Sequence, residues 1–420
     1  MLGRLSGARI LLLQGPMGPY FEHLARQLRS NGCQVTKVNL NGGDAHYYRC
    51  ADAVDYTDTA EAWPDFLRNL LRSQNITHVV LFGDLRNYHY AAITEARQLG
   101  VSVYVFEEGY LRPNYVTLEP EGVNARSTLP KDPNFYRRFA ANTTPRPTPI
   151  GHVFWYAALI ASVYAWAMYV KRRHYPHYHH HRDLHPIREG LRWILIGGRH
   201  KLLWKIRDYG VLRKFSGPLS GKYFLVPLQV HNDFQVRGSV CNSVEAFITD
   251  VAQAFAEHAQ SDQHLVFKHH PLDRAYRNYT QLLDDLREQL GLEGRIHYVA
   301  DPHLPTLLRH ARGTIVLNST VGLSSLQHGT PTIGLGTSFY SLAGLSYLGD
   351  LSSFLKAPGK VDRELVAGFC NYLAQTNQIP GSFYKRKHLP LLRSQSPSPT
   401  DDESKDSATY IGTSSRPEPM

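Results

Sequence analysis

Cysteine is scarce in this chain of 420 residues. The four cysteines, Cys33, Cys50, Cys241 and Cys370, show no paired C-x-x-C spacing. This pattern argues against a structural zinc site and against a disulfide framework, and it favours a reducing cytosol. Loop 15–19 is neither a G-x-G-x-x-G motif nor a P-loop, so it does not predict NAD or ATP binding. The apolar run Ile10–Leu13 is too short for a secretory signal and is typical of a buried strand.

Acidic residues are outnumbered by basic ones, 36 to 46, which gives a net charge of +10. This balance favours anionic partners: a nucleic acid, an anionic membrane surface or a phosphorylated substrate. The basic residues form no stripe attached to a recognition motif, which disfavours nucleic-acid binding. A soluble protein that is basic without such a partner is the alternative. The length and an apolar content of 42% allow two domains, each with its own core.

The first part of the chain alternates strand-like and helix-like segments. Buried strands are predicted at Arg9–Gln14, Val35–Asn39, His78–Phe82 and Val101–Phe106. Helices are predicted between them at Tyr20–Asn31, Ala60–Asn75 and Ala91–Leu99. Strands separated by helices of this length predict βαβ units and a parallel sheet with helices on both faces.

A second block of the same kind follows the breaker-rich segment Ser216–Gly221. In this block, Val244–His258 is predicted to be a strongly amphipathic helix. Its predicted strands are Tyr223–Gln229, His264–Lys268, Ile296–Val299, Thr314–Leu317 and Thr332–Leu335. The predicted fold class is therefore α/β and GT-B-like, with two Rossmann-like domains, a cleft between them and a membrane-associating helical insertion. Many proteins of different function share that outline, so the fold alone does not decide the activity.

The predicted domain organisation has four parts. Residues 1–150 form an N-terminal Rossmann-like domain, and residues 216–393 form a C-terminal one. Residues 151–215 form a helical, aromatic- and histidine-rich, membrane-proximal segment between them. Residues 394–420 are rich in Ser, Pro and Asp with almost no apolar side chains, so they are predicted to be a disordered tail.

The segment Val153–Val170 carries no charge over 18 residues, the lower limit for spanning a bilayer. Lys171, Arg172 and Arg173 follow at once. A transmembrane helix would place the two blocks on opposite sides of a membrane, since no second span is evident. A buried core helix and a membrane-associating, interfacial helix are the other interpretations. We favour the interfacial helix because its aromatic residues and basic flank suit the headgroup layer.

Histidine is abundant just after that basic flank. The cluster comprises His177, His179, His180 and His181. No cysteine or carboxylate accompanies these histidines at a metal-binding spacing, so no metal site is predicted. A solvated or headgroup-contacting basic segment is the preferred interpretation.

Two adjacent acids and a glycine follow the fourth predicted strand. Glu107, Glu108 and Gly109 come at the carboxyl end of that strand, where open α/β sheets place their ligands. Transfer of a sugar needs either a general base for the acceptor hydroxyl or a carboxylate nucleophile. Adjacent carboxylates repel each other, which predicts a raised pKa for one of them. Without other motifs, the pair is best explained as exposed loop acids.

Two later motifs suit a nucleotide phosphate. Lys268 and His270-Pro271 end one predicted strand, where the histidine can donate to a phosphate oxygen. Asn318-Ser319-Thr320 precede a predicted helix, whose free N–H groups and positive dipole favour phosphate. The structural alternatives are an ordinary His-Pro loop and simple N-capping by Ser or Thr.

In this order, the acid-acid-Gly, His-Pro and Ser/Thr motifs resemble those of GT-B transferases that use CMP-activated sugars, such as bacterial sialyltransferases. A closer similarity is to the KpsS/LipB-type family of capsular polysaccharide proteins. It rests on residues 12–21 (LLQGPMGPYF), 107–113 (EEGYLRP) and 316–322 (VLNSTVG), and it covers most of residues 9–345.

That resemblance implies a retaining β-Kdo transferase. The enzyme would move the acidic sugar Kdo from CMP-Kdo to a phosphatidylglycerol-type lipid or its lyso form, starting the poly-Kdo linker of a capsular polysaccharide. It would lie peripherally at the cytoplasmic face of the inner membrane. CMP-Kdo is the donor substrate, and no separate cofactor is expected. The implied partners are the donor, the anionic lipid acceptor, the membrane surface and other capsule biosynthesis proteins.

The resemblance also implies roles for residues. Glu108 would be the nucleophile, with Glu107 and Arg112 in support, in an acceptor and catalytic N-terminal domain. The residues that would hold CMP in the C-terminal domain are Lys268, His270, Pro271, Asn318, Ser319 and Thr320. In related transferases an aspartate occupies the position of Glu108, which is one methylene longer. Whether Glu107 or Glu108 is the key carboxylate therefore stays open.

Two other functions fit the same motifs. A glycerophosphotransferase using CDP-glycerol would share the His-Pro and Ser/Thr sites and release CMP without needing Kdo. A non-catalytic component of a capsule assembly or export complex would need no catalytic carboxylate. The stereochemistry, the acyl state of the lipid and the number of sugars added do not follow from the residues themselves.

Overall fold

The computed structural model describes residues 5–142, 147–180, 185–232, 241 and 243–392. Two sheets organise this part of the chain, one of seven strands and one of five. We call residues 5–142 with 363–392 the first lobe, the described residues of 211–361 the second lobe, and the described residues of 147–207 the helical insertion. The predicted α/β class with two Rossmann-like units is confirmed, and the two lobes have the GT-B-like arrangement.

The sheet of the first lobe has the order β12-β6-β5-β4-β1-β2-β3. Its strands are β1 (Arg9–Leu12), β2 (Gln34–Asn39), β3 (Ala53–Asp55), β4 (His78–Phe82), β5 (Ser102–Glu108), β6 (Tyr115–Pro120) and β12 (Gln378–Pro380). Strands β1 to β5 pair in parallel, with Phe82 opposite Phe106 at the end of β4 and β5. Strand β6 is antiparallel to β5, with Glu108 opposite Val116. The carboxyl ends of β1, β4 and β5 therefore meet at one edge of the sheet.

Helices cover the faces of this first sheet. They are α1 (Tyr20–Ser30), α2 (Gly42–Tyr47), α3 (Trp63–Ser73), α4 (Asn87–Gln98) and α5 (Pro133–Arg137). Helix α1 buries Phe21, Leu24 and Leu28 at helical spacing, and α3 buries Leu67 and Leu71 on the same principle. Because helices lie on both faces, central strands such as β4 are continuous apolar runs.

The second lobe contains a fully parallel sheet with the order β11-β10-β7-β8-β9. Its strands are β7 (Tyr223–Pro227), β8 (His264–Lys268), β9 (Ile296–Val299), β10 (Gly313–Val316) and β11 (Thr332–Gly334). Its helices are α9 (Val211–Ser216), α10 (Val244–His258), α11 (Thr280–Leu290), α12 (Leu304–His310), α13 (Val321–Gln327) and α14 (Leu351–Lys356). All five residues of β7 are buried, as expected for a central parallel strand.

The helical insertion consists of α6 (Phe154–Val170), α7 (Pro186–Arg192), a π-helical turn (Trp193–Gly197) and α8 (Gly198–Arg207). Helix α6 packs against α2, and only Tyr164 and Ala165 of α6 are buried. The interpretation of this segment as a buried core helix is therefore wrong. Among the described residues, no helix has the length and apolar character needed to cross a bilayer.

The chain returns to the first lobe after the second sheet is complete. Helix α15 (Arg363–Thr376) packs on α5, and a Cβ placed on Gly368 would lie 2.1 Å from the Tyr136 carbonyl oxygen. Strand β12 then pairs antiparallel with β6, with Gln378 opposite Thr117. The last helix and strand of the segment assigned to the C-terminal domain thus lie in the first lobe. A three-residue strand shows too little periodicity for the sequence to predict this return.

Two further differences from the predictions concern the acids. Strand β5 continues through Glu108, so Glu107 and Glu108 end the strand instead of following it. The hairpin partner β6 was not predicted. By contrast, the strand His78–Phe82 and the helix Val244–His258 have the predicted bounds. The predicted tail, residues 394–420, lies outside the described residues.

Candidate active site

The two acids end strand β5 beside the carboxyl ends of β1 and β4. Successive side chains of a strand point to opposite faces, so Glu107 and Glu108 have different surroundings. Glu107 Oε1 accepts a hydrogen bond from the backbone N–H of Glu108 (2.9 Å). Glu108 Oε1 accepts one from the phenol of Tyr384 (2.7 Å). Tyr384 belongs to the returning C-terminal segment, and no local sequence signal connects it to Glu108.

Glu107 is partly buried beside the loop that follows β4. Its Oε2 lies 3.8 Å from the position that a Cβ would take on Gly83. The pKa of Glu107 is raised to about 7, mainly by burial and then by the negative charges of Glu108 and Asp84, while Arg86 opposes the rise. The expectation that one acid has a raised pKa agrees with this result, although burial contributes more than repulsion.

A polar network connects the surroundings of Glu107 to the helical insertion. Arg86 Nη1 donates to Gln14 Oε1 (2.7 Å). Gln14 Nε2 in turn donates to the phenol oxygens of Tyr164 (3.1 Å) and Tyr178 (3.0 Å). The sequence predictions assigned none of these four residues to the site. Gln14 and Arg86 follow β1 and β4, and the rule that ligands bind at strand ends was the available signal.

The turn after the acids is packed tightly against its own hairpin. A Cβ on Gly109 would lie 2.2 Å from the Tyr115 carbonyl oxygen, so glycine is needed for the close approach of this turn to β6. The ring of Tyr110 stacks on Phe339 of the second lobe, with centroids 3.7 Å apart. Arg112 is exposed and donates from Nε to the Gly109 carbonyl (3.1 Å). The predicted supporting cation thus lies on the turn, and its Nε bonds to the backbone.

Lys268 and His270 lie at the carboxyl end of β8 but differ in exposure. Lys268 is 8% exposed, its Nζ donates to the Ala300 carbonyl (3.1 Å), and burial lowers its pKa. His270 is partly exposed, and its Nδ1 accepts from the backbone N–H of Leu272 (3.2 Å). Pro271 begins the 3₁₀ turn Pro271–Asp273. The structure thus places His270 at the end of the sheet, whereas Lys268 connects β8 to the end of β9.

Asn318, Ser319 and Thr320 lie between β10 and α13. Asn318 is buried, and its Oδ1 accepts from Gln229 Nε2 (3.1 Å). Its carbonyl accepts from Nδ2 of Asn124 in the first lobe (3.2 Å), so this residue connects the lobes. Ser319 Oγ accepts the backbone N–H two residues later (3.3 Å), whereas the partly exposed Thr320 makes no side-chain capping bond.

A histidine–carboxylate pair near His270 was missed by the sequence predictions. His231 Nδ1 hydrogen-bonds with Asp273 Oδ1, and the His231 backbone N–H donates to Asp273 Oδ2 (3.2 Å). Asp273 is 1% exposed and also accepts from the Tyr279 phenol (3.4 Å). His231 follows β7 at the same sheet edge as His270, so its position after a strand was the signal that could have found it.

Two cavities open beside these residues. The cavity in the second lobe has a volume of about 260 Å³. Gly336 of its lining donates its backbone N–H to the carbonyl of Leu317 (2.8 Å), the residue before Asn318, so the cavity adjoins Asn318. Its lining consists of Gly334, Leu335, Gly336, Thr337, Ser341, Ser346, Tyr347, Leu348 and Gly349. The cavity beside α6 has a volume of about 280 Å³. Its lining includes Asn41, Tyr169, Arg172, Tyr178, His179 and His180.

Within the ranges that the structure describes, no group of three or more His, Cys, Asp or Glu residues could hold a metal ion. His174, beside the histidine cluster, hydrogen-bonds to Asp55 Oδ2 through its Nε2 (3.0 Å). His181 of the cluster lies outside the described residues.

Comparison with known proteins identifies relatives over nearly the whole chain. The family model described as "Capsule polysaccharide biosynthesis protein" matches residues 77–384. The chain is 39% identical over 389 residues to the capsule polysaccharide export protein KpsS of Escherichia coli, covering 90% of this chain and 98% of that protein. It is 38% identical over 394 residues to the capsule polysaccharide modification protein LipB of Neisseria meningitidis, covering 92% and 94% of the two chains.

Solved structures show more distant similarity. UDP-GlcNAc 2-epimerase from Methanocaldococcus jannaschii matches with 13% identity and a TM-score of 0.28, covering 87% of this chain and 99% of that chain. The glycosyltransferase SnogD from Streptomyces nogalater matches with 15% identity and a TM-score of 0.27, covering 88% and 95%. At these TM-scores the similarity carries no statement about activity.

Proposed function

The chain belongs to the capsule polysaccharide biosynthesis family, and from this membership we propose that it is a retaining glycosyltransferase. The proposed reaction moves β-Kdo from CMP-Kdo to a (lyso)phosphatidylglycerol acceptor and starts the poly-Kdo linker of a capsular polysaccharide. The observation that carries this proposal is the arrangement at the end of β5. There, Glu108 is held by the Tyr384 phenol, and Glu107 has a pKa of about 7.

Two displacements at the anomeric carbon would account for retention. In the first step a Glu108 carboxylate oxygen bonds to the anomeric carbon as the bond to the CMP phosphate breaks, and CMP leaves with the electron pair. In the second step the acceptor oxygen bonds to the same carbon and Glu108 leaves. The acceptor hydroxyl proton passes to Glu107, whose pKa of about 7 suits a base near neutral pH. Each step inverts the carbon, so the product retains the starting configuration.

The donor would bind at the carboxyl ends of β8, β10 and β11. His270 and the Ser319 and Thr320 hydroxyls are partly exposed at this edge and would contact the phosphate. The positive charge of buried Lys268 would act from behind, since its ammonium already donates to Ala300. The cavity of about 260 Å³ next to Asn318 would take the cytidine.

The acceptor would approach from the helical insertion. The cavity of about 280 Å³ contains Arg172 and histidines, which suit the phosphate of a lipid headgroup. Tyr178 in its lining is hydrogen-bonded through Gln14 to Arg86, which lies near Glu107. The exposed apolar side of α6, including Trp155 and Leu159, would then contact the inner membrane from its cytoplasmic face.

Mass spectrometry of a single-addition product tests this proposal. Purified protein is incubated with freshly generated CMP-Kdo and a short-chain fluorescent phosphatidylglycerol or its lyso form. We expect one Kdo unit to be added by the wild-type chain and by Glu257→Gln, a matched exposed acid, but not by Glu108→Gln. The Glu108→Gln variant should still bind CMP. Equal product from Glu108→Gln and wild type would refute the role of Glu108.

A non-catalytic role in capsule assembly or export is the second candidate, because the Escherichia coli relative carries the word "export" in its name. Under that function, cells with Glu108→Gln would still form capsule, whereas the transferase proposal predicts that they do not. CDP-glycerol provides a third arm of the mass-spectrometry assay. A glycerophosphate product in place of a Kdo product would support the glycerophosphotransferase.

A further inference from the structure

An apolar stripe is exposed to solvent along the second half of the helical insertion. Helix α7, the π-helical turn and α8 run without a break from Pro186 to Arg207. The exposed fraction of each side chain in the stripe lies between 53% and 72%. The stripe consists of Ile187, Leu191, Ile194, Leu195, Leu202 and Ile206. Aliphatic residues of this size are normally buried, so a row of them on one helix indicates a surface that meets a partner.

The spacing of these residues puts them on one side of the helix. Successive members are separated by three, four or seven positions, except for the adjacent pair Ile194 and Leu195. The same helix carries exposed cations, namely Arg199, Lys201 and Lys205. Its acid Glu189 is partly buried and hydrogen-bonded to Tyr276, so it does not offset these cations at the surface. The outer side of the helix is therefore apolar and positively charged.

The inner side of the same helix packs against the second lobe. The Trp204 ring is buried and lies 4.7 Å from the His269 ring, centroid to centroid. His200 Nδ1 donates to the Arg274 carbonyl (2.8 Å). His269 and Arg274 flank the 3₁₀ turn Pro271–Asp273 and its N-cap residue His270. The helix thus contacts the candidate donor segment on one side and solvent on the other.

We propose that residues 186–207 are a bilayer-docking surface, and that the partner is an anionic phospholipid membrane. An exposed aliphatic stripe bordered by Lys and Arg matches the chemistry of the headgroup boundary, where apolar side chains enter the acyl region and cations contact lipid phosphates. This inference deepens the proposed function, because an enzyme with a lipid acceptor must meet a bilayer. Docking here would also restrain the segment that carries His270, through Trp204 and His200.

Together with the exposed side of α6, this surface gives each lobe its own membrane contact. Helix α6 packs on α2 of the first lobe, whereas α8 packs on the second lobe. A bilayer that holds both helices would fix the orientation of the cleft relative to the lipid. Membrane binding would then affect the donor end as well as the acceptor end.

Vesicle cosedimentation of the full chain, with no donor present, tests the docking surface. We compare phosphatidylcholine vesicles with and without phosphatidylglycerol. Leu195→Gln/Ile206→Gln should weaken partitioning to phosphatidylglycerol vesicles about tenfold or more, since two aliphatic side chains no longer enter the lipid. Lys201→Glu/Lys205→Glu should remove the preference for phosphatidylglycerol. Leu391→Gln, a 62% exposed leucine outside the stripe, is the matched control and should partition like wild type.

Amide hydrogen exchange tests the connection to the donor segment. Adding phosphatidylglycerol vesicles should slow exchange in residues 186–209 and in residues 268–274, and leave helix α10 unchanged. Thermal unfolding followed by circular dichroism verifies that each variant is folded.

Three results would overturn the inference. One is unchanged vesicle partitioning of the Leu195→Gln/Ile206→Gln variant, and another is protection confined to α6. The third concerns the oligomeric state, measured by light scattering. If the wild type is a dimer and the Leu195→Gln/Ile206→Gln variant is a monomer with unchanged vesicle partitioning, the stripe is a dimer interface. Since partitioning is measured without donor, loss of transfer with intact vesicle binding would count against the proposed function alone.

Discussion

The phenol of Tyr384 donates a hydrogen bond of 2.7 Å to Oε1 of Glu108, although 276 positions separate the two residues. Burial, followed by the charge of Glu108, raises the pKa of Tyr384 well above its ordinary value. The phenol therefore stays protonated at neutral pH and remains a donor. A hydrogen bond to a carboxylate is strong and directional, so Tyr384 is a positioning residue for Glu108.

Tyr384→Phe should lower kcat about tenfold and leave KM for CMP-Kdo nearly unchanged, because the carboxylate loses its orientation but not its charge. Steady-state kinetics of Kdo transfer measures both constants. Tyr90→Phe, which alters a 59% exposed tyrosine elsewhere in the first lobe, is the control. A change in KM alone would show that Tyr384 acts on donor binding instead.

The pH dependence of transfer should report Glu107. A base must be ionised to accept a proton, so the rate should rise with pH through about 7, the raised pKa of this side chain. The rising limb should be absent in the slower Glu107→Gln variant. The positive charge of Arg86 opposes the rise in the pKa of Glu107. Arg86→Lys keeps that charge and should leave the rising limb of the pH–rate profile near its original position. Arg86→Met removes the charge and should move the rising limb to higher pH. A limb that persists in Glu107→Gln would contradict this role.

Thermal stability provides an independent measurement on the same group. Because the folded-state pKa of Glu107 is raised, the folded protein favours the protonated acid. The cost of ionising Glu107 is absent below the unfolded pKa and grows as pH rises to about 7. Glu107→Gln should therefore raise Tm more at about pH 8 than at about pH 5. An equal change in Tm at both pH values would show that burial does not affect this carboxylate.

His270→Ala should raise KM for CMP-Kdo about tenfold, because a donor to the phosphate oxygen is lost at the end of β8. Competition binding with CMP measures the same loss without catalysis. His258→Ala, at the end of α10, is the control and should behave like wild type. If CMP binding is unchanged in His270→Ala, the donor phosphate lies elsewhere, and the His231–Asp273 pair becomes the next residue pair to vary.

Gly109→Ala should destabilise the protein by about 2–3 kcal/mol, because the new methyl group would overlap the Tyr115 carbonyl oxygen at 2.2 Å. Urea or thermal unfolding measures this loss. Gly190→Ala is the matched control, since no atom lies within 4 Å of a Cβ at that helical position. It should leave stability unchanged or slightly higher, as expected for alanine within a helix.

The apolar side of α6 should contribute to membrane association. Trp155 is 75% exposed and Leu159 is 66% exposed. Trp155→Gln/Leu159→Gln should therefore lower the fraction of protein that sediments with membranes. Deleting residues 153–185 should have the same effect, but it would also remove the hydrogen bond from Tyr164 to Asp44 (2.7 Å). The point variants avoid that loss. An unchanged membrane fraction would count against an interfacial α6.

The sheet cores were predictable because their physics is local. Within His78–Phe82, residues 79–82 are a continuous apolar run, and burial on both faces of a parallel sheet requires such a run. The bounds of Val244–His258 follow from its apolar period and from Ser243, whose side chain caps the Ala246 backbone N–H (3.0 Å). The candidate site residues were chosen by a different rule, which is that open α/β sheets bind ligands at the carboxyl ends of their strands.

The rest depends on long-range geometry that a pattern does not contain. Tyr384 reaches Glu108 only because β12 returns to β6, and neither the three-residue strand nor its partner has a distinctive period. A sequence pattern also does not show in which direction a side chain points. Lys268 was expected to face a nucleotide, yet its ammonium donates to Ala300, while Arg86 lies near Glu107 without having been predicted.

The antiparallel pairing of β12 with β6 has a consequence for biosynthesis. Thr117 and Gln378 hydrogen-bond across 261 positions, so the outer edge of β6 has no partner strand until almost all described residues have left the ribosome. An unpaired strand edge invites pairing with other chains, which makes the nascent first lobe prone to aggregation. The same delay keeps Glu108 without Tyr384 until residue 384 has left the ribosome. A chain released early, before residue 378, would therefore carry both acids and yet lack the group that orients one of them.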